Sequence, residues 1–137
     1  MKIKYQQYFP DSADMYPILP VTLAFRGNKC SVRCLLDSGA TRSVFNFDIA
    51  VELGIDLKTA RREIFQGVGN VEVEGFGASI DLNVSGFSNW ITIDAGFVND
   101  DDMPLLGRSG IFDNYQIIFE QYLGRFQILS KIQKKLI

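Results

Sequence analysis

The sequence predicts a mostly-β chain with two short helices, closed up as a small barrel or sandwich. Three observations point there. Apolar and polar residues alternate over several stretches of strand length, and Gly, Pro and Asn clusters punctuate them. Helix-like segments are confined to residues near 47–53 and 108–114.

With 137 residues, the chain is one domain by length and large enough to bury a modest core. Apolar residues make up 47% and charged residues 22%, a globular mix rather than a disordered one. A net charge of -2 gives no basic field to attract nucleic acid. The apolar runs are shorter than a membrane span, and Met1–Gln7 lacks the apolar core of a signal peptide. The expectation is therefore a soluble cytoplasmic protein with no nucleic-acid or membrane partner.

Histidine is absent, which excludes hydrolases built on an imidazole base and His-based zinc sites within this chain. No metal or cofactor is expected. Cys30 and Cys34, the two thiols, fall on the same face of an extended strand and read as buried small hydrophobes.

In chain order, residues 1–15 form an N-terminal arm or edge without periodicity. Residues 16–25 alternate as a strand, and Pro17 and Pro20 mark its start as an edge. Gly27-Asn28 signals a turn, and residues 29–36 return as a second strand that ends at Asp37. Residues 42–46 are extended, and a helix of two turns or fewer follows until Gly54 stops it. Residues 57–62 form a basic, polar link.

Residues 63–66 and 71–76 flank Gly67-Val68-Gly69-Asn70 as a hairpin, with valines on one face and glutamates on the other. Residues 78–84 and 90–98 give two further strands. Residues 99–102 read as a solvated acidic loop. Asp81 and Asp94 sit within strands as solvent-facing or network charges. Leu105-Leu106-Gly107 precedes a short helix at 108–114, and residues 115–120 and 125–129 close the chain as a hairpin. Residues 16–130 thus form the domain, and residues 131–137 a basic tail.

The stretch that organises the rest is Cys34-Leu35-Leu36-Asp37-Ser38-Gly39-Ala40-Thr41. An apolar strand runs into an acid, and a carboxylate beside apolar neighbours is costly unless bonded or paired. Asp-Ser-Gly is equally an ordinary turn after a strand. Two further stretches accompany it: the glycine-rich Phe65-Gln66-Gly67-Val68-Gly69-Asn70-Val71, and Pro104-Leu105-Leu106-Gly107-Arg108. In this order and at these separations, residues 18–129 resemble a retropepsin-like aspartic protease in its single-lobe form. The resemblance implies that family's acid-protease fold, a closed small β-barrel with a flap hairpin and one or two short helices.

It also implies roles. Asp37, Ser38 and Gly39 would be the catalytic loop, and Gly67, Val68 and Gly69 the flap tip. Ala40, Val44, Met103 and Leu105 would line substrate pockets, although core packing explains those four as well. Arg108 would support the loop from behind. Two carboxylates sharing one proton can hydrolyse a peptide bond without histidine or metal. This chain has one such loop, so the resemblance implies a homodimer acting on polypeptides, each subunit giving one Asp37.

The chain departs from the viral pattern at Thr41 and Arg42, where an acid is common. Arg108 would then lack a carboxylate partner, and Arg42 would favour acidic substrate side chains. The hairpin at 115–129 offers a dimer seam in place of the interleaved chain ends of viral relatives. Two other readings remain: a catalytically silent module of this fold for dimerisation or peptide binding, and a lipocalin-like small-barrel binder suggested by 11 Phe.

Overall fold

The computed structural model describes residues 1–66, 68–100 and 102–130. Gly67, expected at a flap tip, and residues 131–137, expected as a basic tail, therefore lie outside the described residues. The chain runs through β1 (Lys2–Lys4), β2 (Gln6–Gln7), β3 (Met15–Tyr16), β4 (Ile18–Phe25) and β5 (Asn28–Leu36). Next come β6 (Val44–Asn46), α1 (Phe47–Glu52), β7 (Arg61–Gln66), β8 (Glu72–Val84) and β9 (Trp90–Val98). β10 (Leu105–Leu106), β11 (Tyr115–Glu120) and β12 (Arg125–Ser130) complete it. The fold is mostly β, as expected.

Hydrogen bonding orders the main sheet β4-β5-β10-β6-β9-β8-β7, and β4 also pairs with β8. That pairing closes six strands into a barrel and leaves β7 attached outside, on β8 alone. β4 pairs with β8 only from Val21 to Ala24, so its proline-bearing start is an edge on that side. Inside the barrel, Leu19, Val21 and Leu23 of β4 meet Ile80, Leu82 and Val84 of β8 and Ile93, Ala95 and Phe97 of β9, all buried. Each large side chain fully withdrawn from water stabilises the fold by about 1.5–3 kcal/mol.

The first helix forms where its spacing predicts. Asn46 caps α1, its side-chain oxygen accepting from the Ile49 N–H at 3.2 Å. Gly54, at φ +73°, ends it. The expected second helix forms as a short, irregular helical segment beginning at Arg108, with non-helical dihedrals at Ser109 and at Gly110, the latter at φ +98°. β8 departs from the expected pattern. Residues 71–76 and 78–84 do not form separate strands, because one 13-residue strand runs through Gly75 and Gly77. Those glycines sit where the Arg61, Glu63 and Phe65 side chains of β7 press onto the sheet.

Beside the barrel, β1, β12 and β11 form a second, three-stranded sheet. The N-terminal arm is thus partly ordered, with Lys2–Lys4 antiparallel to Arg125–Gln127. Cys30 and Cys34 are free and buried on one face of β5, as their spacing predicts. Burial and a hydrogen bond to Glu52 push the Cys30 thiol up to about 11. No helix among the described residues is long and apolar enough to cross a membrane.

Candidate active site

Two short strand contacts position Asp37. β10 slides between β5 and β6, parallel to β5 with Leu105 and Leu106 beside Leu35 and Leu36, and antiparallel to β6 at Val44. Asp37, at the end of β5, donates its N–H to the Leu106 carbonyl at 3.0 Å. The turn after it is held by its own side chain, because the Gly39 N–H donates to Asp37 Oδ1 at 2.9 Å. The Ala40 N–H bonds back to the Asp37 carbonyl at 3.2 Å. Asp37 is half-buried, whereas Ser38 and Gly39 are exposed. A carboxylate is thus presented at the surface on a backbone fixed from behind.

Gly107 is the tightest point of that support. A Cβ there would lie 2.7 Å from the Ala40 carbonyl oxygen and closer still to that of Arg42. Its N–H reaches the buried Ser43 hydroxyl at 3.2 Å. Arg108 then donates its N–H to the Ala40 carbonyl at 2.9 Å, and its guanidinium to the Thr41 hydroxyl at 3.1 Å. In place of a carboxylate partner, the guanidinium thus meets Thr41, a neutral acceptor.

A cleft of about 410 Å³ opens beside the loop. Of the residues expected from the sequence, Gly39, Ala40, Val44 and Leu105 line it. Met103 does not; it is buried and borders a smaller cavity next door, shared with Val44 and Leu105. Val68-Gly69-Asn70 form the turn between β7 and β8, with Gly69 at φ +77° and Asn70 at φ +63°.

Sequence reasoning missed Thr41, Phe65, Gln66, Val73, Val98 and Asp100, which complete the cleft wall. Phe65 carried a signal. A Cβ at Gly75 or at Gly96 would fall within 2.8 Å of its ring, so two strand-interior glycines form its seat. Asp100, expected in a solvated loop, faces the cleft.

Arg42 links β7 to the loop. Its guanidinium lies 5.2 Å from the centre of the Phe65 ring and forms an ion pair with Glu63. Asp94 stands 3.5 Å away and also pairs with Arg61 at 3.0 Å. The charge of Arg42 is therefore matched within the chain, and Asp94 is a network charge. Asp81 accepts from the Thr92 hydroxyl at 2.9 Å.

Burial alone would raise the Glu63 carboxyl, but Arg42 and Arg61 outweigh it and hold it below the usual carboxylate range. A lowered folded pKa contributes stability above the unfolded value near 4.5, lost as pH falls through the folded value. Thermal melts of wild type and Glu63→Gln should therefore differ at neutral pH, with wild type the more stable, and converge as pH falls from 4.5 through the lowered folded value. A gap that does not depend on pH would remove the ion pair as its source.

No protein-family model matches the sequence, and a search of curated proteins gives no match either. Solved structures do match. A retropepsin-like aspartic protease from Rickettsia conorii superposes with a TM-score of 0.62 at 14% identity, covering 94% of this chain and 90% of that one. EIAV protease complexed with the inhibitor HBY-793 matches with a TM-score of 0.48 at 23% identity, over 75% of this chain and 88% of that one. The closed barrel, the β7–β8 hairpin and the β10 crossing behind Asp37 are thus the retropepsin-like aspartic protease fold.

Proposed function

We propose that this protein is an aspartic endopeptidase that works as a homodimer, each subunit supplying one Asp37. The observation that carries the reading is the setting of Asp37. Its backbone is pinned by Leu106, its carboxylate receives the Gly39 N–H, and an apolar cleft begins at Gly39 and Ala40. A two-fold axis beside this loop brings the residue to its own copy. Two carboxyls about 3 Å apart cannot both ionise, so they hold one proton between them.

The chemistry then balances. The ionised carboxylate takes a proton from water as the oxygen attacks the scissile carbonyl carbon. The protonated carboxyl hydrogen-bonds the carbonyl oxygen and stabilises the tetrahedral oxyanion. Collapse breaks the C–N bond, and the leaving amine takes a proton from the dyad. Ser38 braces the loop through its hydroxyl, and Arg108 supports it from behind. Gly67, Val68 and Gly69 form the cover that closes over an extended peptide. Ala40, Val44 and Leu105 contact apolar substrate side chains, and Met103 supports that wall from beneath. The working place is the cytoplasm.

The test is incubation with an unfolded protein across pH 3 to 8, with and without a statine-type inhibitor. Cleavage with a bell-shaped acid profile, blocked by the inhibitor, is expected. No cleavage at any pH would favour the silent module instead.

A further inference from the structure

We propose that Asp100 sets the substrate preference of the cleft, selecting polypeptides that place a lysine or arginine side chain beside the scissile bond. This deepens the endopeptidase reading above and rests on it.

Most of the charge around the cleft is already answered within the chain. Arg42 pairs with Glu63 and stands 3.5 Å from Asp94, and Arg61 pairs with the same two carboxylates. Two guanidinium groups thus face two carboxylates, and the cluster is neutral. Arg42 is also held over the Phe65 ring, 5.2 Å from its centre. Its cation is therefore not free to draw an acidic substrate side chain, the preference that Arg42 read alone suggests.

Asp100 stands apart from that cluster. Among the described residues that line the cleft, it is the one acid. No lysine or arginine forms an ion pair with it among the described residues. Its carboxylate accepts the Asp102 N–H at 2.9 Å, a bond that orients the group without neutralising it. The cleft therefore carries one uncompensated negative charge on its wall.

The surface beside that charge is apolar. Val44, Val98 and Leu105 line the cleft together with Asp100, and the same four residues border the smaller cavity next door. Val98 is buried, and Val44 and Leu105 are half-buried. A lysine or arginine side chain has the matching build, because its methylene stem lies along apolar surface while its charged head reaches out. Glutamate in the same place would set like charges side by side. The pocket also adjoins the chemistry. Leu105 precedes Leu106, whose carbonyl accepts the Asp37 N–H, so a side chain lying on Leu105 belongs to a residue close to the cleaved bond.

The test is kcat/KM for three otherwise identical peptides with lysine, norleucine or glutamate beside the cleaved bond. Wild type should favour lysine over glutamate by about fivefold or more, and the ratio should shrink as salt is added. Asp100→Asn should bring that ratio close to unity, and Asp100→Lys should reverse it. Asp81→Asn makes the same charge change away from the cleft, where Asp81 meets Thr92, and should keep the wild-type ratio. Fluorescence anisotropy of the same peptides on Asp37→Asn, with and without Asp100→Asn, reads the preference without any cleavage. A ratio unchanged by Asp100→Asn, or lowered equally by Asp81→Asn, overturns the role of Asp100 and leaves the endopeptidase reading standing. A wild type that cleaves none of the peptides overturns that reading instead, and binding then decides the role of Asp100. A lysine preference that Asp100→Asn removes upholds it, and equal binding of all three peptides overturns it.

Discussion

Asp37→Asn should abolish peptide-bond cleavage, by at least about 10³-fold, while the protein stays folded. The size follows from the proposed dyad, in which both copies of the residue would change at once. The amides can neither accept the proton of water nor donate one to the leaving amine. The fold should tolerate the change, because among the described residues the carboxylate's hydrogen bond is the one it accepts from the Gly39 N–H. An amide oxygen in the same place accepts that bond, so stability should fall by no more than about 1 kcal/mol.

Mixing makes the measurement more specific. If the site is shared, wild type mixed with an equal amount of Asp37→Asn and allowed to exchange subunits should retain about a quarter of the wild-type activity per total dimer. Retention of one half would mean that each chain works alone. Cleavage by the pure variant at the wild-type rate would end the aspartic mechanism.

Much of this arrangement is legible in the sequence wherever the signals are local. The β4–β5 hairpin, α1 with its Asn46 cap and Gly54 stop, and the β11–β12 hairpin are written in short-range alternation and turn residues. Asp37 stands out because an apolar strand ends on an acid before Ser-Gly. Less accessible is anything that depends on residues meeting from far apart. Gly77 looks like a strand break in a linear reading, but the strand runs through it, covered there by the Arg61 and Glu63 side chains as Gly75 is by Phe65.

The Arg42–Glu63 pair spans 21 positions, so Arg42 read alone suggests an unmatched charge in the cleft. The β1 edge strand finds β12 across almost the whole chain, and no periodicity in three residues could announce that. Met103 shows the opposite limit. Its sequence neighbourhood beside Leu105 is right, but its side chain turns into a separate, smaller cavity.

Gly107→Ala should be severely damaging, although it adds one methyl group. The backbone at Gly107, φ -98° and ψ -173°, is open to any residue, so conformational strain is not the cause. The cause is contact. The new carbon would meet the Ala40 carbonyl oxygen at 2.7 Å and the Arg42 carbonyl group at a similar or shorter distance. These are backbone atoms of the loop itself, and they cannot rotate aside as a side chain would.

Relief requires β10 to move away from the loop. That movement would strain the Gly107 N–H to Ser43 bond and the Asp37 N–H to Leu106 bond together. Overpacking of this kind costs about 1–3 kcal/mol, and each weakened buried hydrogen bond adds about 1 kcal/mol. A fall in melting temperature on the order of 10 °C follows for a domain of this size. Activity should drop further than stability alone would explain, because the loop carrying Asp37 would be displaced in each subunit of the proposed dimer. Ser43→Ala is the matched comparison, since it removes one of the two bonds without adding bulk. It should be milder in both melting temperature and cleavage rate. Equal effects of the two substitutions, or a Gly107→Ala protein that melts and cleaves like wild type, would show that β10 does not hold the catalytic loop.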